Sequence, residues 1–132
     1  MSYENLVKKV FAGLEQGDNS KFINYDKQSA TLLNVTSDRN IVNSLNTMVE
    51  GVHFLSNIKA DDLAYKAVVA NYSKLMALGA DPICLQINIS TPSISVSWLE
   101  DFAKGLREST EKYGGYLTGV TLVTGKSSIA VS

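Results

Sequence analysis

A change of hydrophobic period between residues 61 and 90 constrains this chain more than any other feature. Leu63, Ala67, Ala70, Leu75 and Leu78 form an apolar stripe at helical spacing, with Asp61 or Asp62 available as a cap and Gly79 as the stop. Soon afterwards Ile83, Leu85, Ile87 and Ile89 alternate with Cys84, Gln86, Asn88 and Ser90, as in a strand with two different faces. The same switch recurs downstream. Ser95 or Ser97 opens a third helix through Trp98, Phe102, Leu106 and Tyr113, which Gly114-Gly115 ends, and strands over 116–123 and 127–132 surround Thr124-Gly125-Lys126. Upstream, Leu6, Val7, Val10, Phe11 and Leu14 predict an amphipathic helix that stops near Gly17, followed by a polar break from Asp18 to Gln28. Residues 30–35 and 40–45 flank Thr36-Ser-Asp-Arg39 as a strand-turn-strand. The expected architecture is α/β (α+β), a mixed and largely antiparallel sheet with helices on one face. Several strands read as apolar on both sides, so the second face calls for a cover, either a partner subunit or a further domain.

The 132 residues, 45% hydrophobic and 19% charged, suffice for a single core, and one domain over 1–132 is expected. Alternation continues to Ser132, which points to a domain of a longer architecture. Twelve Lys+Arg against thirteen Asp+Glu leave a net charge of -1, so nothing favours nucleic acid or an anionic membrane as partner. The single cysteine, Cys84, excludes an internal disulfide and a multi-Cys zinc site, and its apolar neighbours predict a buried structural thiol. No secretory leader pattern and no apolar run near the roughly 20 residues that span a bilayer are seen, so a cytoplasmic location is expected.

Few motifs carry chemistry on their own. Gly119 to Ser127 resembles a phosphate loop, but five residues instead of four separate Gly119 from Gly125, and strand-like sequence follows, so a β-turn at Thr124-Gly125 is the better reading. His53 is the only histidine, at the end of a strand-like segment, and reads as a loop or half-buried imidazole. No Ser/His/Asp set declares itself, and Cys84 is too deep in an apolar strand to pair with His53 as a nucleophile. Asp61 and Asp62 read as caps, while Glu100, Asp101, Glu108 and Glu111 share a solvated helix face with Lys104, Arg107 and Lys112. Glu4 and Glu15 fall on the first helix. Asp18, Asp26, Asp38, Glu50 and Asp81 are scattered near strand ends, so spacing gives no metal site.

Four blocks nevertheless resemble one family in order and spacing. Asn46-Thr-Met-Val-Glu-Gly-Val-His-Phe54, Asp61-Asp-Leu-Ala-Tyr-Lys-Ala67, Asn71-Tyr-Ser-Lys-Leu-Met-Ala-Leu-Gly-Ala-Asp-Pro82 and Trp98-Leu-Glu look like the N-terminal domain of thiamine-monophosphate kinase, in the aminoimidazole-ribonucleotide-synthetase-like superfamily. The resemblance implies a ferredoxin-like α/β domain that dimerises by joining sheets, and a second, C-terminal domain. It also implies ATP and magnesium as cofactors for transfer of the γ-phosphoryl group to thiamine monophosphate. Two anions must then meet, so aspartate-held metal ions have to offset their repulsion.

Those aspartates are where this sequence departs from the family. The Gly-Asp-Asp segment is matched by Lys27-Gln28-Ser29, or with one inserted residue by Tyr25-Asp26-Lys27. Thr-Asp-Thr is here Leu45-Asn46-Thr47, Asn-Leu-Ser-Asp is Asn71-Tyr72-Ser73-Lys74, and Gly-Gly-Asp-Thr is Gly119-Val120-Thr121-Leu122, with Thr124 in place of an Arg. By the resemblance, Asp26, Asn46, Thr47, Lys74 and Thr121 occupy former metal and ATP positions, and no metal ligand or catalytic residue is assigned. His53 and Gly51 are retained as substrate-binding positions. The expectation is a degenerate, non-catalytic homodimeric module, a pseudoenzyme with a pocket for a small phosphorylated ligand. The alternative is a kinase that needs the C-terminal domain and uses Asp26.

Overall fold

The computed structural model describes residues 2–14, 22–24, 31–33 and 35–132. Its elements run α1 (Tyr3–Val10), β1 (Phe22–Asn24), β2 (Thr31–Leu33), β3 (Asn46–Val49), α2 (Ala60–Ala77), β4 (Cys84–Thr91), α3 (Val96–Tyr113), β5 (Tyr116–Thr124) and β6 (Ser128–Val131). Ser2 caps α1 by accepting a hydrogen bond from the Asn5 amide. The helix ends before the expected stop, but the turns after it still bury Phe11 and Leu14. Gly17 and Asp26 lie outside the described residues.

The expected hairpin between 30–35 and 40–45 does not form. β2 pairs antiparallel with β1, inside the segment read as a polar break, while 40–45 is irregular and leads into β3. Thr36 to Arg39 does turn, closed by the Arg39 amide on the Thr36 carbonyl. Turn chemistry is local and readable; the choice of strand partner is not.

α2 buries Leu63, Ala67 and Leu75 of the expected stripe, but Ala70 is only partly buried and Leu78 is the exposed C-cap, because the buried face runs instead through Ala64, Val68, Asn71 and Tyr72. Its cap residue is Lys59, without a side-chain bond, and Asp61 and Asp62 fall in the first turn, where their charge meets the positive end of the helix dipole. Gly79 adopts φ +75 and lets the Gly79 and Ala80 amides close back on the Met76 and Leu75 carbonyls. Ser95, of the two serines considered, caps α3.

The four-stranded sheet has the order β3-β6-β4-β5. β6 is antiparallel to both β3 and β4, so β3 and β4 run parallel to each other, and β5 is parallel to β4. β3-α2-β4 and β4-α3-β5 are therefore two βαβ crossovers, and β6 fills the gap left by the first. Residues 125–127 carry the chain over the end of β4, where the Gly125 amide bonds the Thr91 carbonyl. The segment at Thr124-Gly125 is thus a crossing bend joining strands that do not pair, where a β-turn was expected.

Both long helices cover one face. Leu63, Val68 and Tyr72 of α2 and Leu99, Phe102 and Leu106 of α3 share a core with Met48, Leu85, Ile87, Ile89, Leu122, Ile129 and Val131. The other face is less apolar than expected: Thr47, Ala130, Asn88 and Thr121 line up across four strands in register. Cys84 alternates onto that side and is half-buried, where a fully buried thiol was expected. Among the described residues no helix is long and apolar enough to cross a membrane.

Candidate functional site

Three places gather the residues singled out by sequence. The first is the turn that leaves β3. Gly51 takes φ +82, a left-handed conformation that favours glycine, and its amide bonds the Phe54 carbonyl at 2.8 Å. The buried Phe54 ring anchors the turn to the core. The Val49 amide donates to His53 Nδ1 at 3.0 Å, so the neutral imidazole carries its proton on Nε2. Lys66, from α2, donates to the His53 carbonyl. Together these groups line a cleft of about 460 Å³ with Val52, Leu55, Asn57 and Ile58. His53 therefore sits in a turn beyond the strand, and it and Gly51 do share a cavity.

The second place joins the start of β3 to the last turns of α2. Lys74 Nζ donates to the Leu45 carbonyl at 3.0 Å and to Asn46 Oδ1 at 3.2 Å. One helical turn earlier, the buried Asn71 accepts from Ser44 Oγ at 2.8 Å. Asn46 faces the helices because it pairs with Val131 on the buried side of the sheet, whereas Thr47 alternates to the open side.

The third place is a groove of about 190 Å³ on the open sheet face, lined by Leu45, Gln86, Asn88, Gly119, Thr121, Ala130 and Ser132 among others. Here Thr121 Oγ1 donates to Asn88 Oδ1 at 2.6 Å. Thr47 and Thr121 sit at opposite ends of the cross-strand row, about 14 Å apart from three strand spacings. Sequence reasoning missed Ser44, Asn71 and Asn88 as partners. The polar alternation of Gln86 and Asn88 within β4 was the available signal.

The donor set in these places is neutral or cationic: an amide at Asn46, an ammonium at Lys74, hydroxyls at Thr47 and Thr121. Among the described residues no group of three or more His, Cys, Asp or Glu side chains could hold a metal ion. Such a set does not fit a divalent ion bound to a nucleotide, which needs carboxylate oxygens.

Comparison with known proteins agrees with the geometry of the fold. Residues 27–132 match the family described as AIR synthase related protein, N-terminal domain. The thiamine-monophosphate kinase of Buchnera aphidicola subsp. Schizaphis graminum is 34% identical over 127 residues, covering 96% of this chain and 39% of that protein. The crystal structure of thiamine-monophosphate kinase from Stenotrophomonas maltophilia K279a superimposes with a TM-score of 0.84 at 25% identity, covering 98% of this chain and 40% of that one. AaThiL complexed with AMPPCP and TMP gives a TM-score of 0.63 at 26% identity, over 97% of this chain and 38% of that chain. The chain thus spans about 39% of the length of curated relatives that it matches over nearly its whole length.

Proposed function

The chain belongs to the AIR synthase related family, as an N-terminal domain, and from that premise we propose that it is a homodimeric binding module without kinase activity. Its relatives are thiamine-monophosphate kinases, whose chemistry joins two phosphate-bearing reactants and so calls for divalent cations. One observation carries the proposal: three of the positions that the resemblance assigns to metal and nucleotide already have partners within the chain, Lys74 and Asn46 in each other and Thr121 in Asn88. A Lys74 ammonium also repels the ions that a nucleotide would bring.

The His53 cleft supports the binding half of the reading. Its Nε2–H, the remaining donors of Lys66 and the Asn57 amide offer hydrogen bonds to a small phosphorylated ligand. The open sheet face, with its row of small side chains, is the surface we assign to the second copy of the chain. A cytoplasmic location goes with this reading.

Isothermal titration of the full chain tests it. Mg-ATP gives no heat of binding, whereas thiamine monophosphate binds, and His53→Ala weakens that binding by roughly ten- to a hundredfold, the worth of one hydrogen bond to a charged group. The second reading, a kinase that requires a further C-terminal domain, is favoured by the 34% identity to a kinase. Formation of thiamine diphosphate in a coupled assay, diminished by Asp26→Asn, would establish that reading and overturn the first.

A further inference from the structure

At the exposed corner between the last turn of α2 and the start of β3, two oxygens share one positive charge, and that charge belongs to the chain. Lys74 Nζ lies 3.0 Å from the Leu45 carbonyl oxygen and 3.2 Å from Asn46 Oδ1. It sits in the final turn of an 18-residue helix, at the negative end of the helix dipole. Asn71, three residues earlier on the same helix face, fastens Ser44, so the corner is tied down on two successive turns. These residues do not fit a divalent ion, and the reason is specific: one position supplies an amide where a carboxylate would be needed, and the other supplies the positive charge itself.

We propose that the Lys74 ammonium is the resident cation of this corner, holding β3 to α2 through Leu45 and Asn46 and making the site independent of metal. Removing the ammonium and converting Asn46 to a carboxylate turns the same corner into a divalent-cation site. The inference deepens the reading of a domain that takes no magnesium, but it concerns one corner only and is tested without nucleotide or substrate.

The experiment uses the full chain, Mn2+ as probe, electron paramagnetic resonance to count free Mn2+, and thermal melting with Mn2+ or with a chelator. The wild type takes up no Mn2+ here and melts alike in both conditions. Lys74→Met melts lower than wild type, because Leu45 and Asn46 lose their common donor. Asn46→Asp/Lys74→Asp binds one Mn2+ with a Kd of about 1 mM or tighter and melts higher with Mn2+ than with chelator. Asn46→Asp/Lys74→Met replaces it if circular dichroism finds the first double variant unfolded. Uptake of Mn2+ by the wild type that Lys74→Met enhances, an unchanged melting temperature in Lys74→Met, or a folded double variant without uptake would each overturn the proposal. Thiamine diphosphate formation by the wild type would sink the preceding reading and leave this one standing, provided that no Mn2+ binds at this corner.

Discussion

Tyr72 is the residue on which the seam between α2, α3 and the sheet closes. It is 1% exposed, its hydroxyl donates to the Gly114 carbonyl at 3.1 Å, and a Cβ on Gly115 would stand 2.2 Å from that oxygen. Burial, followed by the nearby Cys84, pushes the Tyr72 phenol well above its ordinary range, and burial also raises the Cys84 thiol, partly offset by a hydrogen bond with Thr118. Both groups stay neutral in the fold at a pH where the unfolded chain would ionise them. Their contribution is fully present at neutral pH and is lost as pH rises past the ordinary values of 9.0 for the thiol and 10.0 for the phenol. The melting temperature is therefore expected to hold up to about pH 8 and to fall between about pH 9 and 11. Tyr72→Phe costs about 1 kcal/mol at neutral pH for the lost hydrogen bond and shallows the alkaline decline. A wild-type profile that stays flat to pH 11 would contradict this account.

At the level of elements, the crossing of α2 and α3 depends on Gly105. An ideal Cβ there would lie 2.1 Å from the Asp61 carbonyl oxygen, so the helices approach only because the side chain is a hydrogen. Gly105→Ala has to push the helices apart, at an expected cost of about 1–3 kcal/mol in urea unfolding, although alanine is the better helix former. α2, β4 and α3 were legible in the sequence because each carries a clean period, stripe or alternation, ended by Gly79 or by Gly114. The segment before β3 was not legible. Residues 40–45 resemble a strand in composition, yet Ser44 and Leu45 find partners on α2 instead, through Asn71 and Lys74. The resemblance singled out Asn46 and Lys74, but their contact could not be read from it, because those residues lie 28 apart and only the docking of α2 on the sheet joins them. Asp61 and Asp62 look like caps by type, yet the helix begins one residue sooner, at Ala60.

For the whole molecule, the open sheet face sets the assembly that we propose. Ala130 sits at the middle of the row formed by Thr47, Asn88 and Thr121, so Ala130→Arg places a long charged side chain where two small-residue faces would meet. Size-exclusion with light scattering is expected to find twice the chain mass for the wild type and the single-chain mass for Ala130→Arg; a wild type at single-chain mass would refute the dimer. The placement of β6 has a separate consequence, one of timing. β4, α3 and β5 follow one another and can assemble from neighbouring segments, but among the described residues β3 pairs in the sheet only with β6, and its Asn46 must wait for Val131. The loop that closes there encloses α2, α3, β4 and β5, and such distant pairings slow folding. β6 acts as a keystone: until it slides between β3 and β4, the corner at Asn46 has no fixed strand beneath it. The corner is thus expected to form no earlier than the β3–β6 pairing beneath it, the pairing that also brings Ile129 and Val131 into the core.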